Sequence, residues 1–185
     1  MAIEQGFFSD HFHIKRISIA PGPIVIGKRA FAGWEDICEI YLPDTVKYID
    51  AEAFCECASL KIVYLPNSLE YIGAKAFFNC ENLEEIQLPN TLEKLGIAAF
   101  SYCSKLKSII LSDGLLEIAK EVFFSCSELR EINFPNSISI IGQRAFLNCR
   151  TYRLLPKPKK HSWLKSKIIN YWPVSTTLFP ELCRP

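Results

Sequence analysis

"LKIVYLPNSLEYIGAKAFFNCEN", residues 60–82, runs directly into "LEEIQLPNTLEKLGIAAFSYCSK", residues 83–105, and the two agree at nearly every apolar position. Working outward from that pair, the chain divides into 23-residue units that begin at Ile14, Ile37, Leu60, Leu83, Leu106 and Leu129. The shared pattern is L-x-x-[IV]-x-L-P-[ND]-[ST]-[LIV]-x-x-[IL]-G-x-x-A-F-x-x-C-x-x. A fixed repeat period decides the fold before local propensity is weighed. No unit this short buries its own apolar face, so the units must stack, each strand pairing in parallel with the next at about 4.8 Å.

Within a unit, Leu60, Val63 and Leu65 point inward, and Val63 and Leu65 alternate about Tyr64 as a short strand requires. Pro66 ends the strand because it has no amide to donate. Asp44, Asn67, Asn90, Asp113 and Asn136 follow in one column, with Thr45, Ser68, Thr91 and Ser137 beside it; these side chains are expected to bond their own backbone and hold the bend. Gly27, Gly73, Gly96 and Gly142, with Asp50 and Ala119 in the same column, imply a backbone position with φ > 0. Phe31, Phe54, Phe77, Phe100, Phe123 and Phe146 form a spine through the stack, each ring contributing about 1.5–3 kcal/mol by burial.

The repeated "I-x-L-P-x-[ST]-[LV]-x-x-I-G-x-x-A-F-x-x-C-x-x-L" resembles the BspA-like leucine-rich repeat family, the Treponema pallidum type, over residues 14 to 152. The resemblance implies an α/β repeat: a leucine-rich-repeat solenoid of about six coils with a concave parallel β-sheet and short helical or irregular turns on the convex side. It also implies protein binding or cell adhesion rather than catalysis, in a family common on the surfaces of host-associated microbes. Residues 1–13 read as an N-terminal half-coil or cap, with Ile3, Phe7, Phe8 and His11 in repeat columns, or as part of a longer surface array. Residues 14–155 are the solenoid and 156–185 a basic C-terminal capping segment or tail, in which Leu164, Ile168, Tyr171 and Trp172 have the spacing of a short amphipathic helix.

Charge is uneven. Residues 1–149 hold 13 Lys and Arg against 19 Asp and Glu, whereas 150–185 hold 8 against 1. The run "KPKKHSWLKSK" therefore admits an anionic partner, nucleic acid or membrane surface, beside the simpler reading of solvated charge on a cap. The first residues lack the basic start, apolar run and small-residue cleavage site of a signal peptide, which makes the cytoplasm the default compartment although the resembled family is often at the cell surface. No stretch approaches the roughly 18 apolar residues of a membrane span.

Cys57, Cys80, Cys103, Cys126 and Cys149 share one column, with His11 and Trp34. Neighbours one coil apart lie about 5 Å apart at Cα, within disulfide range. Stacked side chains run parallel rather than toward one another and five is odd, so a buried ladder of reduced thiols is expected. Cys38 falls in the column of Lys15, Lys61, Glu84, Lys107 and Arg130 and is expected to be exposed; Cys183 lies in the tail. "CEC" at 55–57 and "HFH" at 11–13 each offer a ligand pair without a second pair to complete a zinc site, so neither a metal nor a cofactor is expected. No nucleophile elbow, metalloprotease helix or phosphate loop appears, so the chain reads as a non-enzyme.

What varies between coils is the outward face of the first strand. Arg16, Ser18, Glu39, Tyr41, Ile62, Tyr64, Glu85, Gln87, Ser108, Ile110, Glu131 and Asn133 occupy it and form the candidate partner-binding surface for a protein. Tyr41, Tyr64 and Ile62 make an amphipathic patch that Ile110 extends; the same tyrosines also suit plain cross-strand packing.

Overall fold

The computed structural model describes residues 2–3 and 13–150. The expectations on Phe7, Phe8, His11, the segment 156–185 and Cys183 fall outside the described residues.

Each coil begins with a three-residue strand: β2 (Arg16–Ser18), β4 (Glu39–Tyr41), β6 (Ile62–Tyr64), β8 (Glu85–Gln87), β10 (Ser108–Ile110) and β12 (Glu131–Asn133). These pair in parallel in the order β12-β10-β8-β6-β4-β2, with a register of 23 residues: Ile17 faces Ile40, Ile40 faces Val63, and Ile86 faces Ile109. The central residue of each triplet turns inward, and Ile40, Val63, Ile86 and Ile109 are buried while Glu85 and Gln87 on either side of Ile86 are exposed. After the strand, a turn is closed by an amide three residues on, as from Leu69 to Pro66 O at 3.2 Å. Ser68 and Thr91 of the adjoining column tie coils together rather than bonding their own turn, whereas Ser137 Oγ is buried without a hydrogen-bond partner among the described residues. Ser68 Oγ donates to Val46 O at 2.7 Å and Thr91 Oγ1 to Leu69 O at 2.8 Å, each in the preceding coil.

The return leg differs from the expected helical turns. It carries a second set of strands, two residues each: β1 (Ala2–Ile3), β3 (Val25–Ile26), β5 (Tyr48–Ile49), β7 (Tyr71–Ile72), β9 (Lys94–Leu95), β11 (Glu117–Ile118) and β13 (Ile140–Ile141). These form a parallel sheet β1-β3-β5-β7-β9 and a separate pair β11-β13. Their second residue is the inward one, and Ile26, Ile49, Ile72, Leu95 and Ile118 are buried.

The chain beyond them does not become helical, because its amides do not all point along one axis. Amides alternate in direction: Ala53, Cys55 and Cys57 bond three residues back to Asp50, Glu52 and Phe54, whereas Glu52, Phe54 and Glu56 donate sideways to Ala74, Ala76 and Phe78 of the next coil. An α-helix needs every amide directed along its own axis. The alternation places two non-glycine residues of each inner coil in the left-handed region, for example Glu52 (φ 59°) and Glu56 (φ 62°), then Lys75 (φ 55°) and Asn79 (φ 58°).

The glycine column has a different cause from the one expected. None of Gly73, Gly96 and Gly142 has a positive φ; a β-carbon on them would overlap the backbone nitrogen of Ala51, Ala74 and Lys120 in the preceding coil. These glycines serve close approach between coils. Where the column holds Ala119, the second sheet breaks between β9 and β11, and Phe100 and Phe123 stand 5.8 Å apart instead of the 5.2 Å between Phe77 and Phe100. Asp50 shares the column yet keeps its bond to Ile26 O at 2.8 Å, and nothing in the structure explains the difference.

The core is continuous along the stack. Phe31, Phe54, Phe77, Phe100 and Phe123 are buried and stacked face to face, with ring planes within 12° for each of their successive pairs. Beside them the cysteine column is buried and reduced, and each thiol donates to the phenylalanine carbonyl of the coil before it: Cys57 to Phe31 O at 3.1 Å, Cys80 to Phe54 O at 3.1 Å, Cys103 to Phe77 O at 3.2 Å and Cys126 to Phe100 O at 3.1 Å. The sulfur therefore fills space and supplies a weak lateral bond.

Candidate functional site

The six-stranded sheet sets its outward side chains in two parallel rows. Because β-strands alternate faces, the first and third residue of every triplet share the solvent side. One row runs Arg16, Glu39, Ile62, Glu85, Ser108, Glu131; the other runs Ser18, Tyr41, Tyr64, Gln87, Ile110, Asn133. All twelve candidate residues thus lie on one face, but they do not form one cluster.

At β2 to β6 the side chains make a connected group. The Tyr41 and Tyr64 rings stack with centroids 4.2 Å apart and planes 12° off parallel. Tyr41 Oη donates to Glu39 Oε2 at 3.1 Å, and the same oxygen accepts from Arg16 Nε at 2.9 Å. Hydrogen bonding with Tyr64, then desolvation, then the Glu39 carboxylate push the Tyr41 phenol up to about 12, so its hydroxyl stays protonated at neutral pH. Tyr41 is half-buried under this network, whereas Tyr64 is 46% and Ile62 37% exposed. Cross-strand packing and a presented apolar surface are thus both realised, by different members of the pair.

Farther along, Ile110 is 53% exposed but is separated from Tyr64 by the strand carrying Gln87, so it makes its own spot rather than an extension of the tyrosine patch. Glu85 and Glu131 flank Ser108 in register and have no ion pair among the described residues. The nearby lysine Lys107 is engaged elsewhere, its Nζ 2.6 Å from Glu84 Oε2.

Chemistry at the thiols is suppressed. Burial pushes Cys57 up to about 12 and raises Cys80, Cys103 and Cys126 as well, so a thiolate nucleophile is disfavoured at these four positions. Cys38, expected to be exposed, is half-buried, its Sγ 3.5 Å from Asp36 O. Among the described residues no three of His, Cys, Asp and Glu converge as metal ligands, and no helix is long and apolar enough to cross a membrane.

Two outward groups escaped the sequence reading. Phe78, Tyr102 and Phe124 form an edge-to-face ridge on the return leg, with ring centroids 5.3 Å apart at both contacts and Lys75 Nζ 5.4 Å from the Phe78 centroid. Tyr48 and Tyr71 adjoin on the second sheet, where Tyr48 Oη donates to Glu70 Oε2 at 3.0 Å. The ridge alternates between two adjacent repeat columns, which hides it from a column-by-column reading.

Comparisons with known proteins agree with this geometry. The chain is similar to the T. pallidum leucine rich repeat protein, with 25% identity over 72% of this chain and 76% of that one, at a TM-score of 0.57. It is similar to a leucine rich cell surface protein from Faecalibacterium prausnitzii, with 27% identity, 75% of this chain, 40% of that one and a TM-score of 0.65. A leucine-rich repeat protein from Eubacterium ventriosum, 22% identical over 80% of this chain and 45% of that one, shares the fold at a TM-score of 0.60. No curated protein matches the chain. The BspA type leucine rich repeat region matches in six copies, across residues 1–73 and 24–153. With that match over most of its length, on coils that stack in a 23-residue register, the chain belongs to the BspA type leucine-rich repeat family.

Proposed function

We propose that the chain is a non-enzymatic, adhesion-type protein-binding module whose partner docks on the outward face of the six-stranded sheet. The observation that carries this reading is the Tyr41–Tyr64 stack with Ile62 beside it: a rigid, partly exposed aromatic and aliphatic surface on a face that is polar elsewhere except at Ile110. Tyrosine presents much contact area with little rotamer entropy to lose, and the Arg16–Glu39–Tyr41 bonds fix it before binding. Membership of a repeat family typically involved in protein interaction supports the reading, as does similarity to a leucine rich cell surface protein.

The test is comparative capture. The Tyr41→Ala, Tyr64→Ala double variant is expected to lose the proteins that the parent chain retains from extracts of its native environment, with its melting temperature changed by no more than a few degrees. Retention of the same proteins by the variant would exclude this face.

A further inference from the structure

We infer that the same sheet face accepts a cationic, extended peptide running across the strands, and that its occupant is the chain's own segment 157–163. Three observations meet here. The repeats through residue 149 carry the acidic excess and the chain after it the basic excess, 8 Lys and Arg against 1 acidic residue. On the face itself Arg16 is spent on Glu39, and just before the strands Lys107 is spent on Glu84, which leaves Glu85 and Glu131 as exposed carboxylates without an ion pair among the described residues. At the far end lies the Tyr41–Tyr64–Ile62 surface.

The spacing is what ties them to this segment. Glu131 sits on β12 and Glu85 on β8, two strands apart, and Tyr41 on β4 is two strands farther. At about 4.8 Å per strand each interval is about 9.6 Å. "KPKKHSW", 157–163, follows Pro156 and contains Pro158, a composition that favours the polyproline II conformation. That helix has three residues per turn and rises about 3.1 Å per residue, so Lys157, Lys160 and Trp163 fall on one side at intervals of about 9.3 Å. Laid from β12 toward β4, the three meet Glu131, Glu85 and the tyrosine surface in order. The direction is the one the chain supplies, since Lys157 comes soon after the last described coil, which contains Glu131.

The inference uses the face named above but not its outside partner, and it makes the segment an internal competitor for that partner. A zero-length carbodiimide crosslink on the full chain, read by peptide mass spectrometry, reports segment occupancy alone, so its failure leaves the partner reading standing. At low salt the monomer is expected to yield Lys157–Glu131 and Lys160–Glu85 links, falling about fivefold or more toward 1 M salt as the Debye length shrinks to about 3 Å. Glu85→Gln should remove the Lys160 link while keeping Lys157–Glu131. Links spread equally to Glu93 and Glu117 on the return legs, links confined to a dimer fraction, or no lysine links to this face would each overturn the inference.

Discussion

Glu56→Gly should stabilise the protein, although it deletes a side chain and adds a glycine. Glu56 has φ 62°, a left-handed conformation that costs an L-residue about 1–2 kcal/mol. Its side chain is exposed and makes no hydrogen bond or ion pair among the described residues, while its amide bond to Phe78 O at 2.7 Å needs only backbone. Glycine removes the steric strain and returns about 0.5–1 kcal/mol as backbone entropy lost on folding, so the net gain is about 0.5–1 kcal/mol. For a chain of this size that is a rise in melting temperature of about 1–4 °C. The preceding coil already holds the solution, Gly33 at φ 75° in the same column. Thermal and urea unfolding followed by circular dichroism, with Glu56→Ala as the control that keeps the β-carbon, reads the effect. If Glu56→Gly falls at or below Glu56→Ala, the assignment of strain to this column is wrong.

Other outcomes follow from the same contacts. Gly96→Ala should destabilise by about 1–3 kcal/mol through lost inter-coil hydrogen bonds, with faster amide exchange at residues 94–96 than in the parent chain. Phe77→Ala, which opens the middle of the aromatic spine, should cost about 3–5 kcal/mol in urea unfolding. Under iodoacetamide in native buffer, half-buried Cys38 should label ahead of Cys80 and Cys103, whose buried thiols resist ionisation; rapid labelling of Cys80 would contradict the packing. Tyr41 ionises above its unfolded value, so its contribution to stability is complete below pH of about 10 and lost as pH rises toward about 12; Tyr64→Phe should shift its absorbance titration back toward the ordinary range.

What the sequence made legible depended on period. The first-strand rows were readable because Leu60, Val63 and Leu65 repeat every 23 residues and alternate with outward positions, and that placed Tyr41 beside Tyr64 correctly. The second sheet was not, because two residues such as Tyr48–Ile49 are too few to show an alternation. Glycine misled in its column: the positive φ values sit two and six residues later, at positions filled by Lys, Glu, Arg, Ala, Asn, Ser and Tyr as well as by Gly33, so residue type carried almost no signal there. Backbone proximity between coils, which does explain Gly73 and Gly96, is a property of the stack and not of any one repeat. At the site, residue identities were legible while partners were not. That Arg16 and Tyr41 share one Glu39 oxygen, and that Glu85 and Glu131 stay unpaired, emerges only once the register is fixed.

The most direct test of the binding face sets two aromatic patches against each other. Tyr64→Ala alters the six-stranded sheet and Tyr102→Ala the ridge on the return leg, both at exposed residues. Capture by each variant, quantified against the parent chain, should fall about 30-fold for Tyr64→Ala, the equivalent of a 2 kcal/mol aromatic anchor, and stay near the parent level for Tyr102→Ala. Loss with Tyr102→Ala and retention with Tyr64→Ala would place binding on the return leg and contradict the assignment.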